Sequence, residues 1–207
     1  MKDQQKKPLR GDIKRKSILQ AARKLFLNQG FSATSMDAVA DEAGVSKRTV
    51  YDHFGTKKEL FEAMLSIHWD TLSIPNNKLF VEQQSIAVNL KYFAEAFLKF
   101  LYHKDTIDLF RLLISETNQF PDLASNILIN EKGPFTRVLI EFLQQKKVSG
   151  ELTIEDADRS AAYFLGLLKE YHFWPMMLGF TKQKKLSQRN KLIDEAVAIF
   201  LQAYLKK

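Results

Sequence analysis

A short basic segment between Gly44 and Gly55 constrains the fold of this chain more than any other feature. Glycine is the preferred residue just after a helix ends, and serine, here Ser46, is favoured just before one begins. The segment therefore predicts a separate helix of about two turns. Its apolar Val50 and Phe54 can be buried, while most of its other side chains are polar or basic. Such a helix adds little to a core, and it suits insertion into the groove of a polyanion.

The net charge of the chain lies entirely around this segment. Residues 1–58 carry 13 Lys and Arg against six Asp and Glu, a net of +7, whereas the remaining residues carry 18 of each sign. A charge that served only solubility would be spread over the surface. A localised excess instead indicates a polyanionic partner bound at one end of the molecule.

Composition excludes several classes of protein. The 207 residues are enough for one or two domains, and 45% are hydrophobic, as in ordinary globular proteins. The chain has no cysteine, so disulfides, thiolate metal sites and cysteine nucleophiles are ruled out. The charged first residues do not resemble a signal peptide, and no apolar run approaches the ~18 residues of a membrane span. We therefore expect a cytoplasmic protein without a membrane partner.

Glycine, proline and capping residues divide the chain into about nine predicted helices, and no segment shows the alternation of a strand. The predicted fold class is all-α. Thr34, with Asp37 three residues later, resembles a capping box that opens the second helix, and Thr56 is predicted to cap the fourth. The remaining boundaries are about 12–30 for the first helix, 46–54 for the third, and then 83–102, 105–118, 121–147 with a kink or break at Gly133-Pro134, 155–171 and 187–205.

Two parts of the chain resemble a known family. The string FSATSMDAVADEAGVSKRTVYDHFGTKKELFEAML, with the preceding ILQAARKLFLNQG, resembles the N-terminal domain of TetR/AcrR transcriptional regulators over roughly residues 13–65. Farther along, FRLLISETNQFPDLASNIL and EDADRSAAYFLGLLKE resemble the AefR-like subset of that family.

The resemblance implies a particular domain organisation. A basic N-terminal arm at residues 1–11 would precede a three-helix DNA-binding domain at 12–55, with a helix-turn-helix formed by its second and third helices. Residues 56–207 would form a helical ligand-binding and dimerisation domain. Basic arms can enter the minor groove of DNA, so the arm is either a DNA contact or a disordered tail without a partner.

The resemblance also assigns DNA-binding roles by position. Lys47 and Arg48, at the start of the recognition helix, would reach base edges, as in other helix-turn-helix motifs. Thr34 or Ser35 would offer a hydroxyl and free backbone amides to a phosphate. The other residues assigned to the helix are Ser46, Thr49, Tyr51 and His53; Tyr51, His53 and Lys57 would mainly hold phosphates.

Two positions depart from the family pattern. Position 48 is often glycine in the family, and Arg48 adds a bidentate donor suited to guanine. Asp52 places a negative charge among phosphate-facing groups. It is expected either to pair with a neighbouring lysine or to accept a hydrogen bond from a cytosine amine.

The middle of the chain is rich in aromatic residues at helical spacing, which suits either a packed core or an adaptable apolar cavity for a small molecule. A few polar side chains in the same region could orient such a ligand. The predicted effector-binding residues are Phe93, Phe97, Phe110, Arg111, Glu116, Phe120, Phe135, Phe164, His172 and Trp174.

The last two helices carry apolar stripes that predict either a dimer face or packing within the chain. A symmetric dimer is favoured because a helix-turn-helix protein reads two half-sites with two copies. The predicted interface residues are Ala161, Ala162, Leu165, Ile193, Val197 and Phe200.

These observations predict a homodimeric repressor that leaves a palindromic double-stranded operator when a small apolar effector binds. The alternative is a helical adaptor or binding protein without ligand-controlled DNA binding. An enzyme is not expected: the four histidines lack metal-ligand spacing, and no phosphate loop or catalytic triad is evident. No cofactor or metal is predicted.

Overall fold

The computed structural model describes residues 10–72, 79–121, 133–180 and 186–206. Nearly all of the predicted N-terminal arm lies outside these ranges, as does most of the first half of the helix predicted over 121–147. The side chains of Arg10 and His172, and those of residues 69–72, also lie outside the description.

Nine helices make up most of the described residues, which contain no strand but a single isolated bridge between Leu152 and Leu205. The all-α prediction is therefore confirmed. The helices are α1 (Arg10–Ala33), α2 (Met36–Ala43), α3 (Lys47–Phe54), α4 (Lys57–Leu72), α5 (Ile86–Leu101), α6 (Lys104–Glu116), α7 (Pro134–Val148), α8 (Ala157–Met177) and α9 (Leu186–Tyr204).

The chain forms two compact units. The first contains Met1–His68 and Asp108–Ser125, and the second contains Trp69–Ile107 and Asn126–Lys207. Helices α4 and α6 each contribute residues to both units. No helix in the described part of the chain is long and apolar enough to cross a membrane.

Three phenylalanines form the centre of the first unit. The ring of Phe61 lies 5.3 Å from that of Phe26 and 5.2 Å from that of Phe31, centroid to centroid, and both pairs meet edge to face. Such geometry places the positive ring edge against a negative face. All three rings are at most 3% exposed, so they tie α1 to α4. Val39 and Val50, both fully buried, add the inner faces of α2 and α3 to this core.

A larger aromatic cluster forms the interior of the second unit. The Phe135 ring of α7 lies within 6 Å of the rings of Phe93, Phe97 and Phe100 on α5, at 5.9, 5.7 and 5.1 Å. Phe164 of α8 continues the cluster to the last helix, because its ring lies 5.2 Å from that of Phe200. Helices α5, α7, α8 and α9 are therefore joined through aromatic contacts.

Helix α8 is longer than the sequence predicted. It extends to Met177 and contains Pro175, whereas the predicted end was near residue 171. Proline removes one backbone hydrogen bond from a helix. Phe173 and Met177, which flank it, are 7% and 6% exposed, so their burial holds the last turn in place despite that loss.

The predicted dimer-interface side chains mostly belong to this interior. Within the single chain, exposure is at most 4% for four of these side chains and 8% for Leu165. The four are Ala161, Ile193, Val197 and Phe200. These five are core residues, which corrects their assignment to an interface. The helical stripes face inward because they pack against other helices of the same unit; only Ala162 is exposed.

Phe93→Ala should lower the free energy of unfolding by about 3–5 kcal/mol, because it removes a fully buried ring and leaves a cavity. The neighbouring Tyr92 is 53% exposed, so Tyr92→Ala should change stability by less than about 0.5 kcal/mol. Urea denaturation followed by circular dichroism measures both. Equal losses for the two variants would contradict the assignment of Phe93 to the core.

Candidate nucleic-acid interface

Helix α3 presents one apolar and one polar face. Val50 and Phe54 are 0% and 5% exposed, and the Arg15 guanidinium lies 5.0 Å above the Phe54 ring. Tyr51 is 50% exposed on the outer side. Ser46 caps the helix, since its hydroxyl accepts a hydrogen bond from the Thr49 amide at 3.2 Å. Burial of one face therefore fixes which side chains the other face offers to a partner.

The two basic residues at the start of α3 form ion pairs within the protein. Lys47 Nζ lies 2.5 Å from Asp37 Oδ2, and this carboxylate raises the pKa of Lys47 through a hydrogen bond and its charge. Arg48 Nε lies 3.6 Å from Asp52 Oδ2 one turn later, with 89% and 67% of the two side chains exposed. Asp52 therefore pairs with Arg48 and not with a lysine. Exposed pairs of this kind contribute little to stability and exchange readily for other partners.

The start of α2 differs from the prediction. Ser35 is the capping residue, because its hydroxyl accepts from the Ala38 amide at 3.0 Å. Thr34 is only 2% exposed, and its hydroxyl donates to the Gly30 carbonyl at 2.8 Å. The capping assignment of Thr34 is thus wrong. Of the two hydroxyls considered for a phosphate contact, that of Ser35 is the accessible one.

Lys57 is engaged with the protein backbone. Its ammonium group donates to the carbonyl oxygens of Phe31, Ser32 and Thr34 at 2.8, 3.2 and 2.9 Å. It also lies 4.5 Å from the centre of the Phe31 ring, and burial lowers its pKa. An ammonium group has three donors. Because all three are directed at residues 31–34, which follow the kink of α1 at Gly30, this geometry leaves none for a phosphate, contrary to the predicted role.

The carboxylate of Glu116, on α6, binds backbone amides of the same turn. Its Oε1 accepts hydrogen bonds from Phe31 N at 2.8 Å and Ser32 N at 3.3 Å. The side chain is 8% exposed, and its charge acts on Lys57. Residues 31–34, which we call the clamped turn, are therefore held by a carboxylate at the amides and an ammonium at the carbonyls.

Gly30 makes the clamped turn possible. Its φ of 88° lies in the left-handed region that non-glycine residues rarely adopt, and it interrupts the helical geometry of α1. A Cβ atom at this position would lie 2.8 Å from Glu116 Oε1. The glycine thus both turns the chain and leaves room for the carboxylate.

Helix α4 begins with a reciprocal capping box. The Thr56 amide donates to Glu59 Oε2 at 2.8 Å, and the Glu59 amide donates to Thr56 Oγ1 at 3.2 Å. The predicted cap at Thr56 is therefore present. Its partner Glu59 was missed, although the Thr-x-x-Glu spacing is a recognised sequence signal. The box fixes the helix turn that carries Lys57.

The predicted effector residues divide between the two units. Phe110, Arg111, Glu116 and Phe120 belong to the first unit, and the others that are described belong to the second. Glu116 is used by the clamped turn, and the Phe120 ring lies 5.0 Å from that of Phe31. Phe93, Phe97, Phe135 and Phe164 are buried against one another, Arg111 lies 3.7 Å from Asp108, and Trp174 is 43% exposed.

Within the described ranges, no group of three or more histidine, aspartate or glutamate residues is arranged to hold a metal ion. In the first unit, the outer face of α3 exposes Lys47, Arg48 and Tyr51.

Glu116→Ala should lower the free energy of unfolding by about 1–3 kcal/mol, because it leaves buried amides of the clamped turn without an acceptor. Glu116→Gln keeps one oxygen acceptor and should lose less. Glu141→Ala, at an exposed helix position, is the control and should change stability by less than about 0.5 kcal/mol. Urea denaturation measures the free energy of unfolding of each variant. Equal losses for Glu116→Ala and Glu141→Ala would contradict a stabilising role for Glu116 at the clamped turn.

Comparison with known proteins agrees with this architecture. Residues 18–64 match the model of bacterial regulatory proteins of the tetR family, and residues 88–206 match that of the AefR-like transcriptional repressor C-terminal domain. The structure of the flavonoid-responsive regulator FrrA superposes with a TM-score of 0.82 at 31% identity, covering 94% of this chain and 98% of that one.

Two sequence relatives match different shares of this chain. The HTH-type transcriptional activator FasR of Mycolicibacterium smegmatis is 37% identical over 92 residues, which are 44% of this chain and 42% of FasR. The uncharacterized HTH-type regulator YvkB of Bacillus subtilis is 24% identical over 189 residues, 90% of this chain and 94% of YvkB. With a family model matched over more than half of its length, the chain is a DNA-binding transcriptional regulator of the TetR family with an AefR-like C-terminal domain.

Proposed function

We propose that this regulator is a homodimeric repressor that binds a palindromic operator through two copies of α3 and is released by a small-molecule effector. The exposed basic face of α3 is the observation that supports operator binding most directly. Its residues stand on a helix fixed by Val50 and Phe54, and the first quarter of the chain holds the entire net charge of +7.

On this proposal, Lys47 and Arg48 reach base edges, while Tyr51, His53 and the amides beside Ser35 contact phosphates. On binding, Lys47 and Arg48 each give up an ion pair with an aspartate for a contact with DNA. The carboxylates of Asp37 and Asp52 are then available to other hydrogen-bond donors. Arg suits guanine, and a displaced Asp52 suits a cytosine amine. Ser46 and Thr49, whose hydroxyl oxygens lie 2.8 Å apart, complete the polar start of the helix. Lys57 and Thr34 are left out of the DNA contacts.

The salt dependence of operator affinity tests the role assigned to Lys57. Each lysine that neutralises a phosphate adds about 0.9 to the slope of log affinity against log salt. Lys57→Met should leave that slope unchanged, because its ammonium serves the clamped turn. Mobility shifts across a salt series measure it. Lys24→Met, which removes another lysine paired within the first unit, is the matched control.

A slope that becomes shallower by about 0.9 in Lys57→Met alone would assign Lys57 to a phosphate and contradict the proposal. Operator affinity that does not fall with rising salt in the wild type would instead favour a protein that does not bind DNA.

The effector is proposed to bind in the second unit. Aromatic side chains such as Phe93, Phe135 and Phe164 provide an apolar interior there, which is typical of small-molecule sites once a cavity opens among them. FrrA is named as responsive to flavonoids, which are small organic molecules. An effector releases DNA only if it binds one arrangement of the dimer more tightly than the other. Helices α4 and α6, which contribute to both units, are the proposed route of coupling.

The dimer is proposed to form through outward-facing apolar residues of the last two helices, in place of the buried ones predicted from the sequence. Tyr163, Tyr171 and Trp174 lie along one stripe of α8 at 54%, 76% and 43% exposure, and Ile199 of α9 is 53% exposed. Large apolar side chains exposed on two neighbouring helices are typical of interaction sites. Binding to a palindromic operator requires the two α3 helices of such a dimer to enter successive major grooves about 34–36 Å apart.

Ile199→Glu should convert the dimer to a monomer, because it places a charge in the proposed apolar interface. Sedimentation equilibrium should show the loss, and operator affinity should fall at least about tenfold because one half-site contact is lost. Ile114→Glu, at an isoleucine of equal 53% exposure on α6, should remain dimeric. A wild-type monomer, or a dimer that survives Ile199→Glu, would refute this interface.

A further inference from the structure

The second unit contains a cavity that none of the predicted effector residues lines. It lies between α5 and α9 and has a volume of about 430 Å³, near the lower end of the ~300–1,000 Å³ typical of small-molecule pockets. Its walls are formed by Glu95, Leu98 and Lys99 of α5 and by Arg189, Asn190 and Ile193 of α9.

The charges at this cavity are not paired with one another, in contrast to the charges elsewhere on the same two helices. Lys91 Nζ lies 2.5 Å from Asp194 Oδ1, which joins α5 to α9 a short distance away. No ion pair in the described residues joins Glu95, Lys99 or Arg189 to a partner. Two cations and one carboxylate leave a formal charge of +1 at the cavity.

Two buried donors near this cavity lack hydrogen-bond partners in the described structure. They are the Tyr102 hydroxyl and Arg189 Nε. Arg189 lines the cavity, whereas Tyr102, the residue that caps the C-terminal end of α5, is 6% exposed and lies behind that lining. Tyr102 is near enough to Arg189 for the guanidinium charge to act on its phenol. Buried polar groups in folded proteins nearly always have a partner, so these two donors need an acceptor that the described residues do not supply.

The phenol of Tyr102 remains a donor at neutral pH. Burial raises the pKa of Tyr102 to about 12, while the positive charge of Arg189 acts in the opposite direction. The hydroxyl therefore keeps its proton, and both unpaired groups seek an acceptor atom. A carboxylate oxygen accepts such hydrogen bonds and carries the compensating charge.

Apolar side chains complete the site. Leu98 and Ile193 are 1% and 4% exposed and line the cavity from opposite helices. The alkyl stems of Lys99 and Arg189 add further apolar surface below their charged ends. The cavity thus combines a cationic, donor-rich part with a hydrocarbon part.

We propose that the cavity between α5 and α9 binds an organic monocarboxylate with an apolar tail. The carboxylate accepts hydrogen bonds from Arg189 and Tyr102 and is attracted by Lys99, while the tail packs against Leu98 and Ile193. The net charge of +1 matches a monoanion, and Glu95 disfavours a phosphate dianion. That such a molecule acts as an effector, from a place other than the aromatic interior, rests on the proposed function; that it binds here does not.

Calorimetric titration of the full-length protein with octanoate tests the site. Octanoate should bind at least about tenfold more tightly than octanol, which has the same chain length without the charge, and more tightly than inorganic phosphate. Arg189→Met should weaken octanoate at least about tenfold. Lys191→Met removes a charge two residues away that does not line the cavity, and it should leave octanoate affinity within about twofold.

Tyr102→Phe separates a binding role from a structural one. It removes a hydroxyl that has no partner in the free protein, so Tm should stay equal or rise, while octanoate affinity should fall severalfold. Equal affinities for octanoate and octanol, tighter binding of phosphate, or an unchanged octanoate affinity in Arg189→Met would each overturn the site.

A mobility shift with operator DNA keeps the two hypotheses apart. Octanoate binding that depends on Arg189, together with a fall in operator affinity, supports both the site and its use by an effector. The same binding without an effect on the operator supports the site and rejects a carboxylate effector. No operator binding in the absence of octanoate would reject the proposed repressor, whatever the titration shows.

Discussion

The clamped turn at residues 31–34 is the constraint on which the DNA-binding half of the molecule depends. At Gly30 the helical geometry of α1 is interrupted, and the peptide groups of the turn that follows need both donors and acceptors to replace helical hydrogen bonds. Glu116 supplies the acceptor and Lys57 the three donors. Because these groups come from α6 and α4, the start of α2 at Ser35 is set by helices that are distant in sequence.

This use of Lys57 changes which charges are available to DNA. A lysine beside a recognition helix suggests a phosphate contact, but here its ammonium is coordinated by carbonyls and partly withdrawn from water. The available cations are those on the outer face of α3, each balanced by one exposed aspartate. On the proposed function, operator binding exchanges weak intramolecular ion pairs for contacts to DNA, which favours a salt-dependent association.

Local signals predicted the helices well, because they depend on nearby residues. Gly44 and Gly55 end α2 and α3 with positive φ, and Ser46 and Thr56 cap the helices that follow. The choice between Thr34 and Ser35 could not be made locally, since it depends on Thr34 being drawn inward to the Gly30 carbonyl.

The sequence pattern could not predict the roles of residues whose partners are distant in the chain. Glu116 was expected in a ligand pocket, yet it binds amides 85 and 84 positions earlier in the chain. Similarly, both faces of α9 carry apolar residues, so periodicity did not distinguish the buried Val197 from the exposed Ile199. Arg189 and Tyr102 gave no local signal, because their common feature, an unpaired buried donor, appears only once α5 and α9 are packed together.

Lysine acetylation, quantified residue by residue by mass spectrometry with and without operator DNA, shows whether the Lys57 ammonium is held by the clamped turn or by DNA. Lys57 should react slowly in the free protein, and DNA should leave its rate unchanged, because its ammonium is already held by the clamped turn. Lys47, whose side chain is 62% exposed, should react in the free protein and become protected by DNA. A Lys57 that reacts freely without DNA and is protected only when the operator is bound would contradict the account.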